Sequence, residues 1–432
     1  MRNLALAWLR LPFWQRVVSG FVLGAVLGRL LGPSASTWLA PLGDLYVALI
    51  KMIAVPLVFF AVVNAIASLS GQRSIAALSV RTFIWFVITA LFAVAIGLAV
   101  GTLMQPGTGH LHLMVGQHWA SKPSPNPVHV LLDIVPTNVF FALAGLGMRT
   151  NAAGQAQLSA NAGSILPVIF FAGLLGFALV KLGGRVNGFR QIMQQGSEVM
   201  NQITRFVMQV TPLGTLVLIG DLVGSYGFKT LLPFGKFIIA LYIACLLQIF
   251  IVYSVLLIAH RLRPWSFFKG AAPAMQVAFV SSSSFASMPV ALRVVNQNLG
   301  VQQDYAAFAL PLAATIKMDG CGAIYPALCA VFIAQYMGIA LTPNQYLIIA
   351  LASVLGSFGT AGVPGTAVVM ATVVLIAAGL PLEVIGYLYA IDRIVDMMRT
   401  MTNVTGQMLV PVLVAKEVGL LDQSVYSQNH TS

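Results

Sequence analysis

SSSSFASMP, residues 281–289, sets four consecutive serines and a proline into a chain otherwise dominated by Leu, Val, Ile and Ala. A plain spanning helix has no use for such a break, because Pro removes a backbone donor and lipid offers no water to replace it. The break occurs twice. SSSSFASMP is followed by TIKMDGCG (315–322), and SFGTAGVPGTA (357–367) is followed by IDRIVDMMRTMTNVTGQ (391–407). Ser284 to Asp319 and Pro364 to Arg399 are both separations of 35 residues, 319 − 284 and 399 − 364. Two broken hairpins, each leading into a polar helix, form an internal repeat of the kind that places a transporter site near the bilayer midplane.

Composition sets the same class. The 432 residues are 59% hydrophobic and only 8% charged, whereas soluble domains carry about 25% charged residues. The net charge of +12 is spread over apolar-run ends and connections, among them Arg10, Arg16, Arg73, Arg81, Lys181, Arg185, Arg261 and Lys269. That is a positive-inside pattern, predicting a cytoplasmic amino terminus and no nucleic-acid partner. Apolar runs predict spans near 17–32, 42–69, 82–104, 128–182 in broken pieces, 195–225 and 230–261, with an extramembrane loop from Gln105 to Pro127. The run from Val17 could pass for a secretory signal, but further spans follow it, so it reads as a first transmembrane helix. Cys245, Cys321 and Cys329 are too scattered for a zinc site or a disulfide framework.

The final polar helix is the richest in chemistry. Asp392, Asp396, Arg399, Asn403 and Gln407 are spaced 4, 3, 4 and 4 apart, an arc of about 80° at 100° per residue. Each ion at the midplane costs at least ~2.5 kcal/mol, so the stripe must be paired or line a cavity. One reading is a salt bridge between Asp396 and Arg399 tying two helices together. The other is a binding site, which Lys317 and Asp319 favour by standing at the matching place in the first repeat. An intramembrane serine enzyme would need a base near the serines, yet His110, His112, His118, His129, His260 and His430 lie in loops, at helix ends or in the tail. A channel would show a continuous pore lining rather than one polar cluster, and no phosphate-binding glycine loop signals ATP use.

SSSSFASMP, KMDGCG, GTAGVPGTA and DRIVDMMRTMTNVTGQ, with KMIAVPLVFF (51–60) and LLDIVPTNVFFALA (131–144), resemble the dicarboxylate/amino acid:cation symporter family, the glutamate transporters and their prokaryotic homologues. The resemblance covers nearly the whole chain and keeps motif order. It implies an all-α polytopic membrane protein of eight transmembrane helices and two re-entrant hairpins with inverted repeats, a homotrimer in the cell inner membrane. Residues 1–75 (helices 1–2) and 128–228 (helices 4–5) would form the scaffold. Residues 76–127 (helix 3 and its loop) and 229–432 (helices 6–8 and both hairpins) would form a transport domain that moves as an elevator.

The resemblance also implies roles. Arg399 would bind the side-chain carboxylate of an acidic substrate, and Asp396 its ammonium. Asn403, Thr400, the hairpin residues Ser283, Ser284, Val363 and Ala367, and Cys321 would complete the substrate site. Dicarboxylate carriers of the family lack an acid at the Asp396 position, so an acidic amino acid is expected over a C4-dicarboxylate, although Cys321 stands where the family usually has Thr and is a poorer donor. The sodium sites are altered: Lys317 replaces Asn, Gln407 replaces Asp, and Phe86 and Ala90 replace Tyr and Ser beside Thr89. The first of those changes adds a positive charge and the second removes a negative one, so the site is more positive by two, about what two sodium ions would bring. Lys317 is therefore expected to act as a tethered cation paired with Asp319 and Asp392, the alternative being that it snorkels to the surface. A third sodium site of backbone carbonyls near Thr315, Met318, Ser357, Phe358 and Thr360 stays open. The expectation is an acidic amino acid symporter coupled to protons and largely independent of sodium, with no cofactor. Sodium-coupled symport, C4-dicarboxylate transport and uncoupled exchange are the alternatives.

Overall fold

The computed structural model describes residues 13–67, 73–108, 135–136, 138–144, 147–150, 156–159, 166–360, 366–382 and 384–427. Helices dominate. Among the described residues five are long and apolar enough to cross a membrane: Gln15–Ser34, Val80–Met104, Pro167–Val207, Leu232–Ala259 and Gln303–Tyr336. Ala40–Ala67 and Asp392–Val418 are comparably long helices, of 28 and 27 residues, whose apolar faces are interrupted by charge. The region read as broken apolar pieces holds a short helix, Val139–Leu143, and a two-stranded antiparallel ribbon pairing Gly147–Thr150 with Ala156–Ser159. Polar residues in GMRT and AQLS deny that segment the length for a span, so local strand pairing satisfies its backbone instead. Most of the expected loop from Gln105 to Pro127 lies outside the described residues.

Two packing groups emerge. Helix Asn187–Tyr226 packs along both Phe13–Leu31 and Ala40–Ala67, and Ala40–Ala67 also packs on Leu166–Leu182. The other group surrounds Asp392–Val418, which touches both arms of the first hairpin, the helix Gln303–Ile316 and the turn that follows it. Burial separates the elements sharply. The window of Gln303–Tyr336 is 100% buried within the protein, whereas that of the first helix is 28% buried and turns most of its apolar surface outward. A fully enclosed apolar helix has no lipid face, which marks it as the core of the second group.

The serine run makes the first hairpin by changing direction within two residues. Pro264–Ser281 is the incoming arm, and Ser282 ends it in a left-handed conformation at φ +51°, which costs a non-glycine residue about 1–2 kcal/mol. Ser283 then caps the outgoing arm Ser284–Gln297, its side chain accepting from the Ala286 amide at 3.3 Å. Ser281 and Ser287 join hydroxyls at 3.3 Å across the tip. Each serine thus has a different task. The second hairpin has arms Pro343–Gly359 and Thr366–Ala377, the first opened by a reciprocal cap between Thr342 and Gln345. Its tip, including Val363, lies outside the described residues.

Candidate functional site

The buried helix between the hairpins is discontinuous. Gln303–Ile316 stops, Lys317 adopts extended and Met318 irregular backbone angles, and a wide turn over Asp319–Ile324 leads into Tyr325–Tyr336. A helix broken inside protein leaves amides and carbonyls to be satisfied by side chains. Asp392–Val418 supplies them. Asn403 Oδ1 accepts from the Gly320 amide at 2.7 Å and the Cys321 amide at 3.3 Å, while Gln407 Nε2 donates to the Lys317 carbonyl at 3.0 Å. Gly320 is required for this approach, since a Cβ there would run into the Arg399 backbone.

Around this break stand two charged clusters. The first centres on Asp319, which is fully buried with Lys317. Asp319 Oδ2 accepts from Lys317 Nζ at 2.6 Å, Tyr253 Oη at 2.7 Å and Gln248 Nε2 at 3.2 Å, and Thr89 Oγ1 donates to Oδ1 at 3.4 Å. The ammonium lies 5.4 Å from the Tyr253 ring centroid. Gly406 makes room for it, because a side chain at that position would collide with Lys317 Nζ. The carboxylate is saturated with donors. Lys317 does not snorkel, and it does not reach Asp392: its neighbour Gly406 lies 14 residues from Asp392, about 21 Å along the helix.

Asp392 belongs to the second cluster. Arg399, also fully buried, uses a single nitrogen for two acids: Nη2 donates to Asp392 Oδ1 at 2.6 Å and to Asp396 Oδ1 at 2.9 Å. These acceptor oxygens are therefore at most about 5.5 Å apart, where two anions repel by about 3 kcal/mol at an effective dielectric of ~20. Tyr325 backs the guanidinium, with Cζ 4.0 Å from its ring centroid. Nε and Nη1 are buried and have no partner among the described residues. Both ion pairs lie within one helix, so they tie no two helices together. Cys321 joins this cluster, its Sγ accepting from Asn403 Nδ2 at 3.0 Å and facing Asp396 at 3.8 Å.

The hairpin residues close on the break from the other side. Ser284 is buried and points its hydroxyl at the Met318 sulfur, 4.0 Å away, and Ser282 Oγ is buried without a partner. Ala367 and Thr400 are buried, Thr400 on the last helix beside Arg399 and Ala367 in the second arm of the other hairpin. Sequence reading overlooked Gln248, Tyr253 and Tyr325. Gln248 had a signal: it is the lone amide in the apolar run IACLLQIFIVY, and a buried amide there needs a partner. The tyrosines gave none.

The first cluster fits sodium poorly. A bound cation needs oxygen acceptors, whereas Asp319 is ringed by donors and an ammonium, and Phe86 and Ala90, on the same helix as Thr89, are buried apolar residues that offer no side-chain oxygen. Of the carbonyl set, Met318 O accepts from the Gly322 amide at 2.7 Å, Ser357 Oγ accepts from the Met318 amide at 3.4 Å, Thr360 Oγ1 donates to Gly356 O at 2.7 Å, Thr315 Oγ1 donates to Pro311 O at 2.8 Å, and Phe358 stacks on Phe83. Among the described residues no three His, Cys, Asp or Glu side chains gather as a metal site.

Comparison with known proteins accounts for this architecture. Residues 13–417 match the sodium:dicarboxylate symporter family. The chain is 29% identical over 429 residues to a proton/sodium-glutamate symport protein of Geobacillus stearothermophilus, covering 97% of this chain and 96% of the relative. It is 33% identical over 419 residues to an uncharacterized symporter of Haemophilus influenzae, covering 91% of each. The L-cystine uptake protein TcyP of Bacillus cereus is 28% identical over 433 residues, covering 95% of this chain and 90% of that protein. Broken hairpins, a discontinuous buried helix and a polar last helix are thus the parts of a transporter rather than an enzyme, and the chain belongs to the sodium:dicarboxylate symporter family.

Proposed function

We propose that this symporter carries acidic amino acids, aspartate or glutamate, in a proton-coupled and largely sodium-independent cycle. The observation that carries the reading is Arg399, a fully buried guanidinium with two nitrogens unpartnered among the described residues, beside an acid, Asp396. Guanidinium matches a carboxylate geometrically, and a neighbouring carboxylate selects substrates that also bear an ammonium. Asn403, Thr400, Cys321, Ser283, Ser284, Val363 and Ala367 complete the site in this reading. The glutamate symporters among the relatives support the same substrate class.

Lys317 is the tethered cation of this scheme, standing with Asp319 and Gln407 where a sodium-coupled relative would take up ions. The carbonyl set of Thr315, Met318, Ser357, Phe358 and Thr360 is where sodium would bind if uptake required it. Residues 76–127 and 229–432 move as the elevator against a scaffold of 1–75 and 128–228, in a homotrimer of the inner membrane with its amino terminus in the cytoplasm. Uptake of labelled aspartate and glutamate into proteoliposomes tests the reading, with sodium present or absent and an inward proton gradient on or off. Unlabelled succinate and cystine serve as competitors. Accumulation without sodium that collapses with the proton gradient is the expected result. Strict sodium dependence overturns the role given to Lys317, and competition by cystine or succinate alone overturns the substrate class.

A further inference from the structure

A carboxylate bound bidentately by guanidinium uses either the Nε/Nη2 edge or the Nη1/Nη2 edge, so Nη2 belongs to both forks. Here Nη2 is the one nitrogen already occupied, by Asp392 and Asp396 together, while Nε and Nη1 are free. An incoming substrate carboxylate can complete a fork only by displacing one of the two acids. Asp396 keeps a second neighbour in the Cys321 thiol, and it is the acid assigned to the substrate ammonium. Asp392 has no hydrogen-bond donor besides Arg399 among the described residues.

We propose that Asp392 is an internal ligand which holds Arg399 in the empty site, is displaced by the substrate carboxylate, and takes up one proton as it leaves. The inference rests on the acidic-substrate reading above and names the group that carries its coupled proton. Once off Arg399, an ionised Asp392 would be a buried anion facing a second anion, and binding a proton removes that conflict. Of the other groups facing it, Asp396 shares its helix, Cys321, Tyr325 and Cys329 face it from the broken helix, Tyr46 from Ala40–Ala67 and Tyr389 from the preceding turn; among the described residues the one further cation is Arg393, the next residue on the same helix, whose Nη2 donates to the Ser281 carbonyl at 3.5 Å and not to Asp392. Charge balance agrees. Two acids and Arg399 carry a net charge of −1, Lys317 and Asp319 carry none, and an acidic amino acid brings −1. One proton per substrate returns the loaded site to the charge of the empty one, so the energy of crossing the membrane is matched in both directions. The proton comes from water on the side of entry and is released on the other side when Asp392 pairs again with Arg399.

The test uses the purified full-length protein with aspartate as the probe. In weak buffer at neutral pH, a pH indicator should register uptake of about one proton per aspartate bound. Affinity should weaken as pH rises, by about tenfold per pH unit on the alkaline side, because binding and protonation are linked. Asp392→Asn should bind aspartate with an affinity that no longer follows pH, without the proton uptake, and without the infrared band of a carboxylic acid that appears in the unsubstituted protein on aspartate binding. A merely structural role would lower affinity and leave the slope with pH intact. Proton-free binding by the unsubstituted protein overturns the inference, as does an unchanged pH slope in the variant. Should Asp392→Asn fail to fold, the proton count and the infrared band of the unsubstituted protein still decide it. Absence of any aspartate or glutamate binding overturns the proposed function as well, whereas binding without proton uptake overturns only the role of Asp392.

Discussion

The clusters at Asp319, on the broken helix, and at Arg399, on the last helix, are in opposite states of completion. Asp319 is a single acid with four donors around it, Lys317, Tyr253, Gln248 and Thr89. Arg399 is a single base with two acids on one nitrogen and two other nitrogens idle. A buried polar group without a partner costs about 1–3 kcal/mol, so a fold retains one only where something else supplies the partner. The Asp319 carboxylate, met by donors, therefore behaves as built-in structure, although Gln248 Oε1 beside it is buried without a partner among the described residues, and the guanidinium with two idle nitrogens behaves as a place prepared for a ligand.

The contrast can be broken most severely at Arg399. Arg399→Ala should reduce aspartate binding by more than about 100-fold by calorimetry, since a charge-assisted fork worth about 3 kcal/mol or more is lost, and unchanged affinity would end the substrate assignment. Next in size is Lys317→Met. Breaking one side of a buried pair costs about 3–5 kcal/mol, and a second change, Asp319→Asn, should recover part of it in thermal unfolding because no lone charge remains. If the double variant is no more stable than the single, the pair is not the saturated unit described here. Tyr253→Phe removes one of four donors and should lower stability by about 1.5–3 kcal/mol, leaving aspartate affinity within about twofold. An affinity loss as large as that of Arg399→Ala would mean that the two clusters are not separable. Cys321→Thr places a stronger donor beside Asp396 and should tighten aspartate binding several-fold, which competition uptake would register. The smallest effect belongs to a third, exposed cluster, where Glu417 meets Arg81 at 3.4 Å, His260 at 3.1 Å and Trp85 at 2.9 Å. Glu417→Gln should change stability by no more than about 1 kcal/mol, the usual limit for solvent-screened pairs.

Much of this was legible in the chain because lipid punishes exceptions. A proline or a serine run in an apolar sequence must be explained, and so must five polar residues on one face of a helix; the two hairpins and the stripe from Asp392 to Gln407 were found on that ground alone. Partner choice was not legible. Asp392 reads as an equal member of the stripe, and its assignment to Lys317 fails because helical rise puts it about 21 Å along the helix from Gly406, the residue against that ammonium. Tyr253 and Tyr325 look like ordinary apolar-helix tyrosines, and only packing sets one against Asp319 and the other beneath Arg399.

By itself, the sequence determined a polytopic helical protein with a duplicated broken hairpin, a charged last helix and a lysine, Lys317, two residues from an acid in an apolar run. Those properties follow from local rules of periodicity, composition and backbone satisfaction, which act over a few residues. Tertiary structure alone decided which acid meets which base, that Asp319 is complete and that Arg399 is not. Pairing depends on the distance between side chains brought together from far apart in the chain, such as Thr89 and Asp319, 230 residues apart, and no spacing within one helix encodes that distance.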